Sequence, residues 1–203
     1  MSPVGQKMVD VIRKIQESGI FVLSSIICGL ESDTKETLAT MKEFAKESGT
    51  LLAQFTLYTP YPGTVDFYNM VDDMKLRAGA RENLPLRKIE LLYDRFWIDP
   101  KKPTVLIKHP NMDDKTLLGE IKKNWNSFYS FRQIIKRAMA QNWPWKGKVW
   151  YFLGSLGFKS LYAGYGIAAD SVKSKKMALA TRFLLKITIV FHNYFFRKRH
   201  PKS

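Results

Sequence analysis

Apolar positions recur at two spacings in the first sixty residues. Met8, Val11, Ile12 and Ile15 fall three and four apart, the period of a helix with one apolar face. Ile20 to Gly29 is nearly unbroken apolar, as in a strand covered on both faces. Leu38, Met41, Phe44 and Ala45 repeat the helical spacing, and Leu51 to Tyr58 reads as a second strand. Related tetrapeptides precede both strands: Gln16-Glu17-Ser18-Gly19 and, thirty residues later, Lys46-Glu47-Ser48-Gly49. Each glycine suits the residue after a helix end, where a left-handed backbone is needed. Asp33 is the expected N-cap of the second helix, with Glu36 as its capping-box partner. The order is α-β-α-β, and the connection between the strands has the length a parallel pair requires.

Thr59-Pro60-Tyr61-Pro62-Gly63-Thr64 stops the second strand with a rigid loop at its C-terminal end, the end where parallel α/β folds bind ligands. Helices are expected over 64–76 and 85–97, with a short extended piece from Thr104 to Lys108. Leu117, Leu118, Ile121, Trp125 and Phe128 predict a further helix, which continues or restarts through Ile134, Ile135 and Met139. Trp143-Pro144-Trp145-Lys146-Gly147 marks a break. Beyond it Trp150, Tyr151, Phe152, Phe158, Tyr162 and Tyr165 interleave with lysines and glycines, and a last helical stretch runs over 175–196.

Charge divides the 203 residues unevenly. Residues 1–100 hold 12 Lys and Arg against 14 Asp and Glu, a net of −2; residues 101–203 hold 21 against 4, a net of +17. A basic half meets an acidic partner such as a phospholipid surface or nucleic acid, or is only a solvated cationic surface. The single cysteine, Cys28, excludes a disulfide framework and any self-contained thiolate zinc or iron–sulfur site. It reads as a buried strand residue, and His109, His192 and His200 are too far apart for a local metal motif, so no metal ligand and no catalytic residue is assigned. No apolar leader follows Met1, and no run reaches the roughly 18 uncharged apolar residues of a spanning helix. The expectation is a cytoplasmic protein, with a peripheral place at the inner membrane face open to its basic tail.

Four motifs in order carry a resemblance. Ile26-Ile27-Cys28-Gly29-Leu30-Glu31-Ser32-Asp33-Thr34-Lys35-Glu36-Thr37 and Gln54-Phe55-Thr56-Leu57-Tyr58-Thr59-Pro60-Tyr61-Pro62-Gly63-Thr64 resemble the fifth and sixth strands of a radical S-adenosylmethionine (SAM) barrel. Their order and spacing are similar to the branch with an N-terminal cobalamin-binding domain, which includes the hopanoid C-methylases. His109-Pro110-Asn111-Met112 and Trp125-Asn126-Ser127-Phe128-Tyr129-Ser130 resemble its C-terminal region.

The implied fold is α/β: the C-terminal segment of a partial TIM-type (β/α) barrel over 1–100, the family's helical region over 101–142, and a basic aromatic tail over 143–203. The implied cofactors are SAM and a [4Fe-4S] cluster, with cobalamin beside them. The implied parent reaction is reductive cleavage of SAM to a radical that takes hydrogen from an unactivated carbon, followed by methyl transfer or rearrangement on a lipid or other apolar substrate. Family members hold the cluster in a Cys-x3-Cys-x2-Cys loop that this chain does not contain. The resemblance therefore implies the C-terminal third of such an enzyme, silent alone, whose partner is the missing N-terminal barrel half, in cis or in trans. It could be a truncated reading frame, a gene fragment or one subunit of a split enzyme.

The same resemblance points to Ile27 and Gly29 beside the SAM adenine, and to Tyr58, Thr59 and Pro60 at the barrel mouth. Gln54 reaches into the lumen or bonds to backbone under a helix. Read as residues alone, Gly29 ends a strand, Ile27 is core, and Pro60 belongs to a turn. The alternative function is a free-standing basic module on an anionic membrane surface, ahead of nucleic acid; a third is the non-functional product of a truncated gene.

Overall fold

A computed structural model describes residues 3–79, 86–99 and 105–162. Its elements are α1 (Pro3–Glu17), β1 (Leu23–Cys28), α2 (Lys35–Glu47), β2 (Leu52–Leu57), α3 (Val65–Ala78), β3 (Glu90–Leu91), β4 (Ile107–Lys108), α4 (Asp114–Phe128), α5 (Phe131–Ala140) and α6 (Trp145–Tyr162). They fall into two units, Met1–Phe128 and Tyr129–Ser203. The tail from residue 163, including Tyr165 and the helix expected over 175–196, lies outside the described residues, as does the side chain of Tyr162.

In the first unit β1 and β2 pair in parallel, Leu23 opposite Leu52 through Cys28 opposite Leu57, with α2 as the crossover. Gly19 and Gly49 close α1 and α2 with φ of 83° and 68°, as their place before each strand predicts. The N-cap of α2 is Thr34, one residue later than expected, and its capping-box partner is Thr37 instead of Glu36. Asp33 fails to cap because its carboxylate turns back to the N–H groups of Gly29 and Leu30.

One face of the sheet is covered. Leu38, Ala45, Ala53, Phe55, Leu117, Ile121 and Phe128 are buried between β2, α2 and α4. Asn124 Nδ2 of α4 donates to Leu38 O at 2.8 Å, and Trp125 Nε1 donates to Phe55 O at 2.8 Å. The other face is open. Leu23, Ser25 and Ile27 are exposed on it, so β1 is not covered on both sides, contrary to its unbroken apolar run. The apolar stripe of α1 is largely uncovered: Met8, Val11 and Ile15 are exposed and Ile12 is half-buried, while Val9 beside them is fully buried. Polar contacts tie α1 to the end of α2, where Arg13 donates to Glu47 O and Gln16 donates to Gly49 O.

The sheet edges differ. Leu52 N–H and Tyr58 N–H donate to Val22 O and Cys28 O. By strand alternation the N–H and C=O of Leu23, Ser25 and Ile27 therefore point to the far edge of β1. No strand pairs with that edge among the described residues. The same alternation aims Phe55 O at the far edge of β2, and Trp125 takes it. Thus α4 closes the β2 side, while the β1 side is an unprotected parallel edge.

Residues 86–97 are not the expected helix. They hold β3, antiparallel to β4, and a turn region. Ile89 and Leu91 alternate into a small core with Phe67, Met70, Phe96 and Ile107, a period of two that competes with the helical spacing. In the second unit α5 restarts after Ser130, and Tyr151 of α6 accepts from Arg137 Nε at 2.9 Å. Among the described residues, no helix is long and apolar enough to cross a membrane.

Candidate functional site

A cleft of about 500 Å³ lies at the C-terminal ends of β1 and β2. Its floor is the loop Leu30-Glu31-Ser32; Tyr58, Asp66, Arg87 and Asn111 stand around it.

The loop is held from both sides. Gly29 has φ of 95°, a left-handed conformation that L side chains rarely adopt. A Cβ there would meet Leu117 Cδ2 at 3.2 Å, so the space a side chain would take is filled by α4. Asp33 Oδ2 accepts from Gly29 N–H at 2.8 Å and Leu30 N–H at 2.9 Å. From the opposite side Asn111 Nδ2 donates to Glu31 O at 3.2 Å and Asp33 O at 3.1 Å. Asn111 N–H donates to His109 Nδ1 at 3.1 Å, which assigns the ring hydrogen to Nε2; that nitrogen donates to Leu30 O at 2.8 Å. His109-Pro110-Asn111 is thus a clamp on the β1–α2 loop. Its backbone targets lie about eighty residues away, so no local pattern announces the role.

On the other rim Tyr58 Oη donates to Asp66 Oδ2 at 3.4 Å, and Arg87 Nη1 pairs with Asp66 Oδ1 at 3.0 Å. Burial raises the Tyr58 hydroxyl above its usual pKa, and the Asp66 charge adds to the rise. Tyr58 stays a neutral donor at neutral pH. The cleft holds two carboxylates, Glu31 and Asp66, against two cations, Arg87 and Lys88. Asp66, Arg87, His109 and Asn111 carry the site's polar framework, and the sequence reading assigned a role to none of them.

Of the six residues expected to hold a cofactor, Ile27 and Gln54 share the open face of the sheet. Ile27 is 49% exposed and Gln54 half-buried. Gly29 and Tyr58 follow the C-terminal ends of β1 and β2, Gly29 against Leu117 of α4 and Tyr58 against Asp66 and Met70. Thr59 turns its hydroxyl to Leu57 O at 3.3 Å, and Pro60 is buried in the turn. Of the six, Tyr58 alone lines the cleft; Ile27 and Gln54 stand on the sheet face outside it. A [4Fe-4S] cluster does not fit. Cys28 is wholly buried beside Met41, and burial, with the Asp33 charge second, pushes its thiol up to about 12. No group of three or more His, Cys, Asp or Glu able to hold a metal occurs among the described residues.

That thiol gives a direct check on the packing of β1. At pH 8 a pKa of about 12 leaves roughly one thiolate in ten thousand. Ellman's reagent is expected to leave Cys28 untouched in the folded chain and to label it fully in guanidinium. Because the folded pKa lies above the unfolded one, the associated stability is present below about pH 9 and declines from there towards about pH 12. Rapid labelling of the folded chain would show that β1 opens.

No family model and no solved structure matches the chain. Three curated proteins do in part. The chain is 28% identical over 150 residues to an anaerobic magnesium-protoporphyrin IX monomethyl ester cyclase of Cereibacter sphaeroides, 72% of this chain and 21% of the relative. It is 37% identical over 120 residues to an uncharacterized methyltransferase of Pyrococcus horikoshii, 51% of this chain and 25% of the relative. A second such cyclase, from Rubrivivax gelatinosus, is 22% identical over 145 residues, 71% and 22%. The chain is a distant, partial homologue of these proteins and spans a quarter or less of their length.

Proposed function

We propose that this chain is the C-terminal part of a radical SAM barrel of the cobalamin-binding branch, and that it works only when an N-terminal barrel half joins it along β1. The observation that carries the reading is the asymmetry of the sheet. Trp125 closes the β2 edge, whereas among the described residues no strand pairs with the β1 edge, and the α1 stripe and one face of the sheet are exposed. Parallel sheets are ordinarily covered on both faces, so the open face and edge invite a further layer and strand. The motifs at the strand ends and the partial likeness to the cyclases and the methyltransferase support the assignment to that branch.

In this reading Ile27 and Gln54 wall the adenosyl group of SAM, the clamped Gly29–Asp33 loop presents backbone to it, and Tyr58 offers a neutral hydroxyl at the mouth. Thr59 and Pro60 shape that mouth from behind. SAM, when bound, would supply the radical chemistry, and the ligands of a cluster would have to come from the other half. The relatives' names divide between ring closure and methyl transfer, and methyl transfer to a lipid or another apolar substrate, as in the hopanoid C-methylases, is the reading we favour. The open edge and stripe are the surfaces the joining half would cover, in cis or in trans.

The test is assembly. The Pyrococcus horikoshii relative with its 120 matched residues deleted is to be co-expressed with this chain. A one-to-one complex on gel filtration is expected. Separate elution of two soluble, folded polypeptides would contradict the proposal.

A further inference from the structure

We infer that α5 and the start of α6 form a face that docks on an anionic lipid bilayer. The inference concerns the second unit alone and does not rest on the barrel reading.

Phe131, Ile135 and Met139 of α5 recur every four residues and are 65%, 40% and 61% exposed. Ile134 and Ala138, on the flank next to Phe131, are buried, so the apolar arc of α5 runs from a core-facing edge to this exposed stripe. Arg132 and Lys136 each follow a stripe residue by one position, about 100° around the helix, and both are exposed. An apolar strip bordered by a basic strip is the pattern of a helix lying in a membrane interface. The ring of Phe131 meets that of Phe152 edge-on at 5.1 Å, which joins the stripe to α6. At the first turn of α6, Trp145 is highly exposed beside Lys146, the pairing of interfacial aromatic and headgroup-seeking cation.

Charge selects the partner. Residues 129–203 contain 15 Lys and Arg and one acidic residue, Asp170. A second copy of such a surface would repel the first. An acidic lipid surface attracts it, adding electrostatic attraction to apolar insertion. Nucleic acid would also answer the charge, but Ile135 and Met139 offer no ring for base stacking and gain only from burial in hydrocarbon.

The experiment is flotation of the full-length chain with vesicles on a density gradient, which separates bound protein from aggregates. Vesicles of phosphatidylcholine with phosphatidylglycerol should carry the chain to the top; vesicles of phosphatidylcholine alone should not. The double substitutions Ile135→Ser with Met139→Ser, and Arg132→Glu with Lys136→Glu, should each weaken flotation about tenfold. The exposed control pair Val65→Ser with Leu92→Ser should not. Circular dichroism checks that each variant folds. Flotation unchanged by both α5 pairs would overturn the inference and assign the stripe to the chain's own later residues. Tighter binding to an oligonucleotide that the same substitutions abolish would overturn it in favour of nucleic acid.

Discussion

Ser25→Pro is expected to abolish assembly with the joining barrel half while leaving the isolated chain folded. The residue sits in β1 opposite Gln54, but its N–H points away from β2 to the open edge. Proline there removes no hydrogen bond that the first unit makes by itself, and edge strands tolerate it. The isolated chain should lose less than about 1 kcal/mol. In the joined sheet the same N–H must donate to a new strand, and the ring occupies the position of that strand's carbonyl. The complex should disappear from gel filtration, a loss of at least about tenfold in affinity. Ser25→Ala keeps the N–H and should assemble normally. Equal assembly by the proline variant would show that β1 is not the joining edge.

Phe55→Ala should be the most damaging single change to the chain itself, at about 3–5 kcal/mol. Its ring is wholly buried and meets Trp125 and Phe128 edge-on, at 6.0 and 6.1 Å. The same residue's carbonyl receives the indole N–H that closes the β2 edge. Removing the ring leaves a cavity under α4 and frees Trp125 to shift, so the burial and edge-closing terms fail together. A domain commonly has only about 5–15 kcal/mol to lose, and a sheet with one open face belongs at the low end. Urea unfolding followed by tryptophan fluorescence should show the variant largely unfolded at the start. Ile27→Ala, on the open face, should lie within about 0.5 kcal/mol of the parent chain. A cost below about 1 kcal/mol for Phe55→Ala would mean that α4 does not pack on β2 as described.

Local pattern carried much of the fold. The α-β-α-β order, the glycines at 19 and 49, the rigid loop after β2 and the α4 helix each depend on neighbours within a few residues, and each stands where the spacing puts it. The misreadings have one physical source, the competition between local and distant partners. Asp33 is a good N-cap by type, yet two backbone N–H groups four and three residues earlier hold its carboxylate, so Thr34 caps instead. Residues 86–97 read as helix because their apolar spacing suits either period, and their pairing with residues 107–108 decides for a strand. The stripe on α1 and the run in β1 announce burial, and this chain leaves most of the stripe and one face of β1 exposed.

The candidate site was legible by place more than by residue. The motifs at the strand ends located the cleft, because the C-terminal end of a parallel pair follows from strand order alone. Its polar framework was not legible. Asp66 and Arg87 are 21 residues apart, and the His109–Asn111 clamp grips a loop about eighty residues earlier. Hydrogen bonds across such distances leave no periodicity to read.

The decisive measurement is formation of 5′-deoxyadenosine from SAM after anaerobic treatment with iron and sulfide. This chain alone should bind no cluster and form none, because its one thiol is buried and protonated. Combined with the cluster-bearing half it should form the product, and Ser25→Pro should return the mixture to zero. Product formed by the isolated chain, or none from a verified complex that holds its cluster, would contradict the account.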